Sequence, residues 1–333
     1  MSALDDRLAE LVEAGRTPGL HTAVAIRHGE VILEHYGVGE DHSWGEALGV
    51  VTFGPETMHD LRSITKSVVG LLYGIALADG LVPEPEEPLL PHFPAYSDLA
   101  RDPERARLTV EHALTMTLGL DWDESLPYTT TANSEIAMEH APDRYRYVLE
   151  RKIAEEPGTT WRYCGGATTL LGRLIVLGAG MPLDDFARER LFEPLGIERS
   201  AWLRGGDGEA GAASGLRLAP LDLARVGQTV LAGGTWEGRQ VVPAGWLGRA
   251  LEPRIEVEDD VRYGYQWYRS SVAGPDGTRY PWSGGMGNGG QLLAVVPELD
   301  LVVAIAAGAY DVQDQWSATM TVFADVIVGG IEP

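Results

Sequence analysis

The spacing of apolar residues changes along this 333-residue chain, from a helical period at the start to the short runs of β-strands near the end. Within residues 1–15, apolar residues recur at helical spacing on one face, which predicts an amphipathic helix. Residues 21–39 contain two β-rich runs on either side of His28-Gly29-Glu30, a pattern typical of a hairpin. The chain is therefore expected to open with one helix and two antiparallel strands.

The middle of the chain is mostly helical in pattern. Residues 63–79 are largely apolar, and Gly80 is placed to end a helix there. A proline-rich loop is predicted at 82–96, and a flexible glycine-rich loop at 206–215. Further helices are predicted at 108–116, 133–140, 143–153, 167–178, 182–192, 219–234 and 243–251.

From about residue 261 the pattern becomes that of strands. Strands are predicted at 262–270, 290–299 and 301–308, and the tight Pro297-Glu298 turn favours antiparallel pairing of the last two. A helix from about 314 to 328 closes the chain.

Because strands lie at both ends and helices between them, the pattern predicts an α/β fold of the α+β type. Its antiparallel sheet is flanked by the N- and C-terminal helices and receives a mostly helical insertion. The expected division is residues 1–62 plus 200–333 for the sheet domain and 63–199 for the helical domain, with the active site between them.

Composition narrows the class of partner. A net charge of −23 repels nucleic acid and anionic membranes, so a small-molecule substrate is the expected partner. There is no apolar run of about 18 residues that would predict a membrane span. One cysteine, Cys164, allows no intrachain disulfide, and the acidic N-terminus is unlike a secretory signal, which favours a cytoplasmic location. A secreted form that has lost its signal is the alternative.

The segment RSITKS singles out Ser63 and Lys66. Only two of the 26 basic residues are lysines, and Lys66 lies three residues after Ser63, on the same face of the predicted helix. A serine hydroxyl attacks carbonyls only when a base takes its proton. A lysine can act as this base if burial has lowered its pKa, whereas an arginine stays protonated. The alternative is a helix-capping serine beside a surface lysine, since the spacing alone is weak evidence.

Two more segments strengthen the catalytic interpretation. EEPGTTWRYCGGATTLLGRLI places Tyr163 in a glycine-flanked turn before an apolar helix, and RYPWSGGMGNGGQLLAVVPEL places a glycine-rich run at the entrance to a strand. Together with RSITKS, they resemble the three signature elements of the β-lactamase-related serine hydrolases. This class includes class C β-lactamases, penicillin-binding DD-peptidases, family VIII carboxylesterases and nylon-oligomer (6-aminohexanoate-dimer) hydrolases. HALTMTLGLDWDE and PGTTWRY look most like the last two groups.

The resemblance implies a role for each matching residue. Ser63 would be acylated, Lys66 and Tyr163 would share proton transfer in an order left open, and no cofactor or metal would be needed. The oxyanion donors would be the backbone N–H groups of Ser63 and Gly285. An alternative register of the third element, centred on Gly287, moves the second donor by about two residues.

Two of the signature elements depart from the family pattern. The asparagine usual two residues after the tyrosine is replaced by Gly165, and the third element, Trp282-Ser283-Gly284, has an indole where a cation is usual. Trp282 is expected to form one wall of the pocket that holds the acyl group. Tyr128 lies where the nylon-hydrolase branch has a substrate-contacting tyrosine. Arg279 is a further candidate, as an anchor for a substrate carboxylate.

These departures favour a carboxylesterase acting on small neutral esters. The alternatives are hydrolysis of an amide (a linear amide of the 6-aminohexanoate-dimer type, a β-lactam or a D-amino-acid peptide) or a catalytically silent binding homologue. Gly285, Gly287 and Gly290 form a G-x-G-x-x-G pattern, but a strand and not a helix is predicted after it, which disfavours a dinucleotide site. The oligomeric state is not predicted.

Overall fold

The computed structural model describes residues 3–331. Residues 1, 2, 332 and 333, which the predicted first helix and domain bounds include, lie outside the described residues. The helices are α1 (Ala3–Glu13), α2 (Ile64–Ala78), α3 (Val110–Leu114), α4 (Ser134–Glu139), α5 (Arg144–Glu150), α6 (Gly165–Ala179), α7 (Leu183–Ala187), α8 (Pro220–Leu231), α9 (Ala244–Leu251) and α10 (Ser317–Met320). Short π- and 3₁₀-helical turns extend α7 to Leu195 and α10 to Gly330.

The strands fall into one large sheet and three small ones. They are β1 (Leu20–Arg27), β2 (Glu30–Tyr36), β3 (Val38–Ser43), β4 (Glu46–Thr52), β5 (His59–Asp60), β6 (Ala201–Trp202), β7 (Leu216–Leu218), β8 (Thr235–Trp236), β9 (Arg239–Gln240), β10 (Ile255–Glu258), β11 (Val261–Tyr263), β12 (Tyr268–Ala273), β13 (Arg279–Gly287), β14 (Gln291–Val296) and β15 (Leu301–Ala307).

The large sheet is antiparallel and has the order β10-β11-β12-β13-β14-β15-β1-β2. Strand β15 pairs with β1, so that Ala304 lies opposite Val24, and strands from the two ends of the chain are neighbours in the sheet. The prediction of one antiparallel sheet built from both ends of the chain is therefore confirmed. Strands β14 and β15 are buried along their whole length because both faces of the sheet are covered.

Two apolar clusters cover the two faces of this sheet. The larger contains α2, α6 and α8 with the other central helices, and the smaller contains α1 and the C-terminal helix. Helix α2 is buried on nearly all sides, as expected of a helix that is apolar all round. Its first turn is thereby fixed between the sheet and the central helices.

The structure differs from the sequence predictions in two strand extents and in one hairpin that was not predicted. Residues 262–270 form two strands, because the chain turns between β11 and β12 with Gln266 at φ 65°. The Gln266 amide is held in that turn by the carbonyls of Ala113 and Leu114. The glycine-rich run before β14 is itself strand β13, and the β3–β4 hairpin was not predicted.

Among the described residues, no single helix has the length and apolar composition to cross a membrane. The consecutive helical segments Gly165–Ala179 and Leu183–Leu195 reach these limits only together, and they are bent by 80° relative to each other.

A close approach between α2 and α9 gives a stability prediction. The indole of Trp246 packs so tightly on Gly74 that a Cβ there would lie 2.0 Å from the ring, and its N–H donates to the Gly70 carbonyl at 2.8 Å. Gly74→Ala is expected to lower the free energy of unfolding by about 1–3 kcal/mol, although alanine favours a helix by about 1 kcal/mol. Urea denaturation measures the change.

The control for Gly74→Ala is Gly248→Ala in α9, where an added Cβ would meet nothing within 4 Å. This variant is expected to gain up to about 1 kcal/mol of stability. Equal stabilisation by both substitutions would show that the Trp246 contact does not require glycine at position 74.

Candidate active site

Ser63 lies at the N-cap of α2, directly after a strained turn. Arg62 has φ 49°, a left-handed conformation that costs a non-glycine residue on the order of 1–3 kcal/mol. Its guanidinium lies between the rings of Trp44 and Tyr310, at 5.1 Å and 4.6 Å from their centroids, and its Nε is 3.2 Å from Asp60. Contacts from distant parts of the chain therefore determine where the Ser63 hydroxyl sits.

Lys66 lies one turn further along α2 and is 1% exposed. Its Nζ donates to the Ser63 Oγ at 3.0 Å and to the Ala213 carbonyl at 2.9 Å. The Glu135 carboxylate is 3.8 Å from the same nitrogen. The structure thus brings together the two side chains that the i, i+3 spacing predicted to touch.

Tyr163 lies in the turn before α6, and the Lys66 Nζ is 4.8 Å from the centroid of its ring. Burial, together with the nearby carboxyl groups of Glu124 and Glu135, raises the pKa of Tyr163 well above its ordinary value, and a hydrogen bond with Ser63 opposes this rise. The phenol is therefore protonated at neutral pH, and it lies beside the Ser63 and Lys66 side chains.

The glycines of β13 allow this strand to approach α2. An added Cβ at Gly285 would lie 2.8 Å from the Ser67 Oγ, and one at Gly287 would lie 2.5 Å from the Leu61 carbonyl oxygen. Both positions thus face the start of α2, and side chains at either one would push the strand away from Ser63. The contacts are compatible with either register of the third element, and the identity of the second oxyanion donor stays a prediction.

The three residues of the third element, Trp282, Ser283 and Gly284, differ in whether they reach the cleft beside Ser63. Trp282 is 5% exposed, and its ring packs edge-on against Phe323 of the C-terminal helix at 6.0 Å, although it also reaches the cleft beside Ser63. Ser283 is buried and accepts a hydrogen bond from Arg269 at 2.6 Å, so it does not face the cleft. A Cβ at Gly284 would lie 2.1 Å from the Leu293 carbonyl oxygen, which explains the glycine there.

Arg279 lies far from the candidate nucleophile. It begins β13, eight residues before Gly287, a separation of roughly 26 Å along a strand. Its guanidinium pairs with Asp260 and its Nε donates to Ser271. Because Arg279 is not among the residues that line the cleft, the structure gives no support to its predicted role as a carboxylate anchor.

The Ser63 side chain opens into a cleft of about 810 Å³. Tyr128 and Trp282, both predicted to contact substrate, line this cleft, and Gly287 does not. Among the described residues that line the cleft, none is a lysine or arginine and three are acidic. The full lining is Ser63, Glu124, Ser125, Leu126, Pro127, Tyr128, Trp161, Tyr163, Val257, Glu258, Val261, Tyr268, Ser270, Trp282, Met286, Asn288, Asp311, Val312, Gln313, Gln315, Trp316 and Met320.

Sequence reasoning missed two carboxyl groups beside the site. Glu124 follows the exposed residues Asp121 and Asp123 along the chain, yet its own carboxyl is enclosed by protein. Glu135, in the first turn of α4, is completely buried. Acidic residues are common in the first turn of a helix because they interact favourably with its positive end. The sequence around Glu135 therefore gives no indication that its side chain is buried.

A buried cluster of His21, His59 and Asp41 lies behind the Arg62 turn. These three side chains have a spacing that a metal ion could use, but the His21 Nδ1 is 2.9 Å from the His59 Nε2, a direct hydrogen bond. Burial and the neighbouring His59 lower the pKa of His21 to about 4, although the Asp41 carboxylate acts in the opposite direction. Arg217 places a guanidinium 3.6 Å from Asp41, so positive charge is already present there.

Comparison with known proteins identifies the family. Residues 4–313 match the model of the family described as Beta-lactamase. The chain belongs to the beta-lactamase family. The family resemblance proposed from RSITKS, Tyr163 and the glycine-rich run is therefore confirmed, as is the fold class that it implied.

Relatives within the beta-lactamase family have different named activities. The chain is 25% identical over 263 residues to the 6-aminohexanoate-dimer hydrolase of Paenarthrobacter ureafaciens, covering 75% of this chain and 62% of that protein. It is 34% identical over 125 residues to penicillin-binding protein 4 of Amycolatopsis lactamdurans, covering 37% and 29%. The chain thus spans less than two thirds of the length of either relative.

A solved structure has the same fold at low identity. The beta-lactamase/D-alanine carboxypeptidase from Pseudomonas syringae superposes with a TM-score of 0.73 at 16% identity, and the match covers 100% of both chains. At this identity the likeness shows the fold alone.

Cys164 follows Tyr163 but lacks the surroundings of a reactive thiol. It is 3% exposed, and burial together with Glu124 raises the pKa of its thiol. Because the thiolate is the reactive form, folded protein at pH 8 is expected to resist iodoacetamide, whereas urea-unfolded protein is alkylated fully. Intact mass spectrometry distinguishes the two, and rapid alkylation of the folded protein would contradict the burial of this side chain.

Proposed function

We propose that this protein is a serine hydrolase that works through an acyl-enzyme and acts on small neutral esters. The observation that carries the proposal is the 3.0 Å contact between the Lys66 Nζ and the Ser63 Oγ, with the Tyr163 phenol beside both. A hydroxyl in contact with an amine and a phenol can lose its proton to one of them and regain it through the other.

In the acylation step, the Ser63 Oγ attacks the ester carbonyl while the Lys66 amine takes its proton. The negative charge that develops on the carbonyl oxygen is stabilised by the Ser63 backbone N–H and by a second N–H on β13, that of Gly285 or, in the alternative register, one beside Gly287. The Tyr163 phenol gives its proton to the leaving alkoxide and regains one from Lys66. Water then attacks the acyl-enzyme by the same route in reverse, which releases the acid and restores Ser63.

The charge of the cleft supports a substrate without a carboxylate. The cleft contains Glu124, Glu258 and Asp311 but no cationic lining residue, and the cation of the third signature element is replaced by Trp282. An anionic substrate would be repelled by Glu258 and Asp311 and would find no partner. Aromatic and apolar lining residues provide contacts for an uncharged acyl group.

Hydrolysis of a linear amide that carries an ammonium group is the second candidate. Two observations favour it: the acidic residues Glu258 and Asp311 in the cleft, and the relative named 6-aminohexanoate-dimer hydrolase. An amide uses the same residues but needs firmer protonation of its leaving nitrogen, a role that fits the protonated Tyr163 phenol.

Ser63→Ala is expected to lower kcat/KM for short-chain nitrophenyl esters by at least about a thousandfold, because the nucleophile is removed. It is also expected to abolish labelling by a fluorophosphonate. Ser125→Ala is the matched control, since Ser125 lines the same cleft but is exposed and has no contact with Lys66 or Tyr163. Equal turnover by Ser63→Ala and wild type would remove the proposed nucleophile. Wild-type protein that neither turns over esters nor takes the label would indicate a silent homologue.

A series of esters and amides that differ only in the charge of the acyl tail tests the substrate class. We expect kcat/KM to be highest for neutral or ammonium-bearing tails and at least about tenfold lower for a carboxylate-bearing tail, with nitrocefin a poor substrate. Higher rates on the linear amides than on the matched esters would favour the amidase. A preference for the carboxylate-bearing tail would contradict the cleft electrostatics.

A further inference from the structure

Two carboxyl groups converge on the backbone of Gly165, two residues after Tyr163. A Cβ added at Gly165 would lie 2.5 Å from the Glu135 Oε2 and 3.1 Å from the Glu124 Oε1. These carboxyl groups therefore fill the space that a side chain at position 165 would occupy. Residue 165 is the position at which the signature pattern usually has an asparagine.

The Glu124 carboxyl is held from three sides. Its Oε1 accepts hydrogen bonds from the Trp122 indole N–H and the Gly165 backbone N–H, both at 2.5 Å. Its Oε2 lies 2.9 Å from the Tyr128 hydroxyl, which donates to it. These contacts fix the carboxyl between the cleft wall and the start of α6.

The Glu135 carboxyl is 0% exposed and has one unsatisfied oxygen. Its Oε1 accepts from the Ser214 hydroxyl, whereas its Oε2 has no hydrogen-bond donor among the residues described. This Oε2 is the atom that faces Gly165, and it lies 3.8 Å from the Lys66 Nζ. A buried oxygen without a donor is costly, and a proton held between the two carboxyl groups would satisfy it.

We propose that Glu124 and Glu135 share one proton and act as a positioning pair for Lys66, in the place of the asparagine that this chain lacks at position 165. The pair leaves a single negative charge near the Lys66 amine. The effect of this pair on catalysis rests on the proposed function, whereas the shared proton does not.

The electrostatics of the pair agree with its geometry. Burial, followed by the charge of Glu135, raises the pKa of Glu124 well above its ordinary value, while Lys66 and the Gly165 N–H oppose the rise. Two adjacent carboxyl groups do not both ionise easily. The other titratable groups around the pair are Lys66 on α2, Tyr128 in the 124–128 loop, Glu139 on α4, Tyr163 and Cys164 before α6, and Tyr268 on β12.

Loss of the shared proton has a predictable consequence. When the pH rises through the raised pKa of Glu124, a second negative charge appears beside Lys66 and Tyr163. This charge attracts positive charge towards the pair and disfavours ionisation of the Tyr163 phenol, so transfer of the Ser63 proton is impeded. The rate should therefore fall on the alkaline side.

The first experiment compares the pH dependence of kcat/KM in wild type, Glu124→Gln and Glu139→Gln. Glutamine at 124 stays neutral, so the alkaline limb of its pH profile is expected to move up by at least about one pH unit, whatever its rate at neutral pH. Glu139→Gln is the matched control, because Glu139 also has a raised pKa on α4 but pairs with Arg144. An unchanged limb in Glu124→Gln, or an equal shift in Glu139→Gln, would overturn the proposal.

The second experiment exchanges the pair for the missing asparagine. Gly165→Asn alone is expected to lose activity, because the new side chain collides with Glu135. Gly165→Asn combined with Glu135→Ala is expected to be more active than either single variant. Full activity of Gly165→Asn alone, or no gain in the double variant, would show that the carboxyl groups do not occupy this space.

An infrared measurement separates this inference from the proposed function. Ser63→Ala protein at neutral pH should keep a protonated-carboxyl band that is lost in Glu124→Gln. This band should persist in Glu139→Gln, which removes only the separate signal of Glu139, whose pKa is also raised. Absence of the band refutes the shared proton even if Ser63-dependent turnover is found. If the band is present but no Ser63-dependent turnover is found, the shared proton is supported and the proposed function is refuted.

Discussion

The burial of a single lysine amine is the constraint on which the candidate site depends. Lys66 is 1% exposed, and an amine removed from water must find its partners within the protein. Its partners come from three regions: Ser63 from its own helix, the Ala213 carbonyl from the loop before β7, and Glu135 from α4. The site forms only where these three regions meet. The packing of the helical region therefore determines whether the Ser63 hydroxyl has the Lys66 amine beside it.

Much of the site could be predicted because its residues lie in short local patterns. The spacing of Ser63 and Lys66 places them on one helical face, and the turn that carries Tyr163 is marked by the glycines after it. The central antiparallel sheet was predictable because its inner strands are continuously apolar.

The features that were missed depend on tertiary packing. Glu124 follows exposed acidic residues, and only the fold encloses its carboxyl between Trp122, Tyr128 and Gly165. The β3–β4 hairpin escaped prediction because it buries little: Val38 and Val50 are 62% and 70% exposed, so there is no clean alternation of apolar and polar residues. The division of residues 262–270 into two strands depends on Gln266, which is held by carbonyls more than a hundred residues away.

The turn at Arg62 has a consequence for how the enzyme matures. The Arg62 guanidinium makes cation–π contacts with Trp44, which follows β3, and with Tyr310, which follows β15. During synthesis, Trp44 leaves the ribosome long before Tyr310, which lies more than 250 residues further along the chain. Until Tyr310 has emerged, the nascent chain lacks one of the two rings that hold Arg62, and the turn before Ser63 is only partly supported.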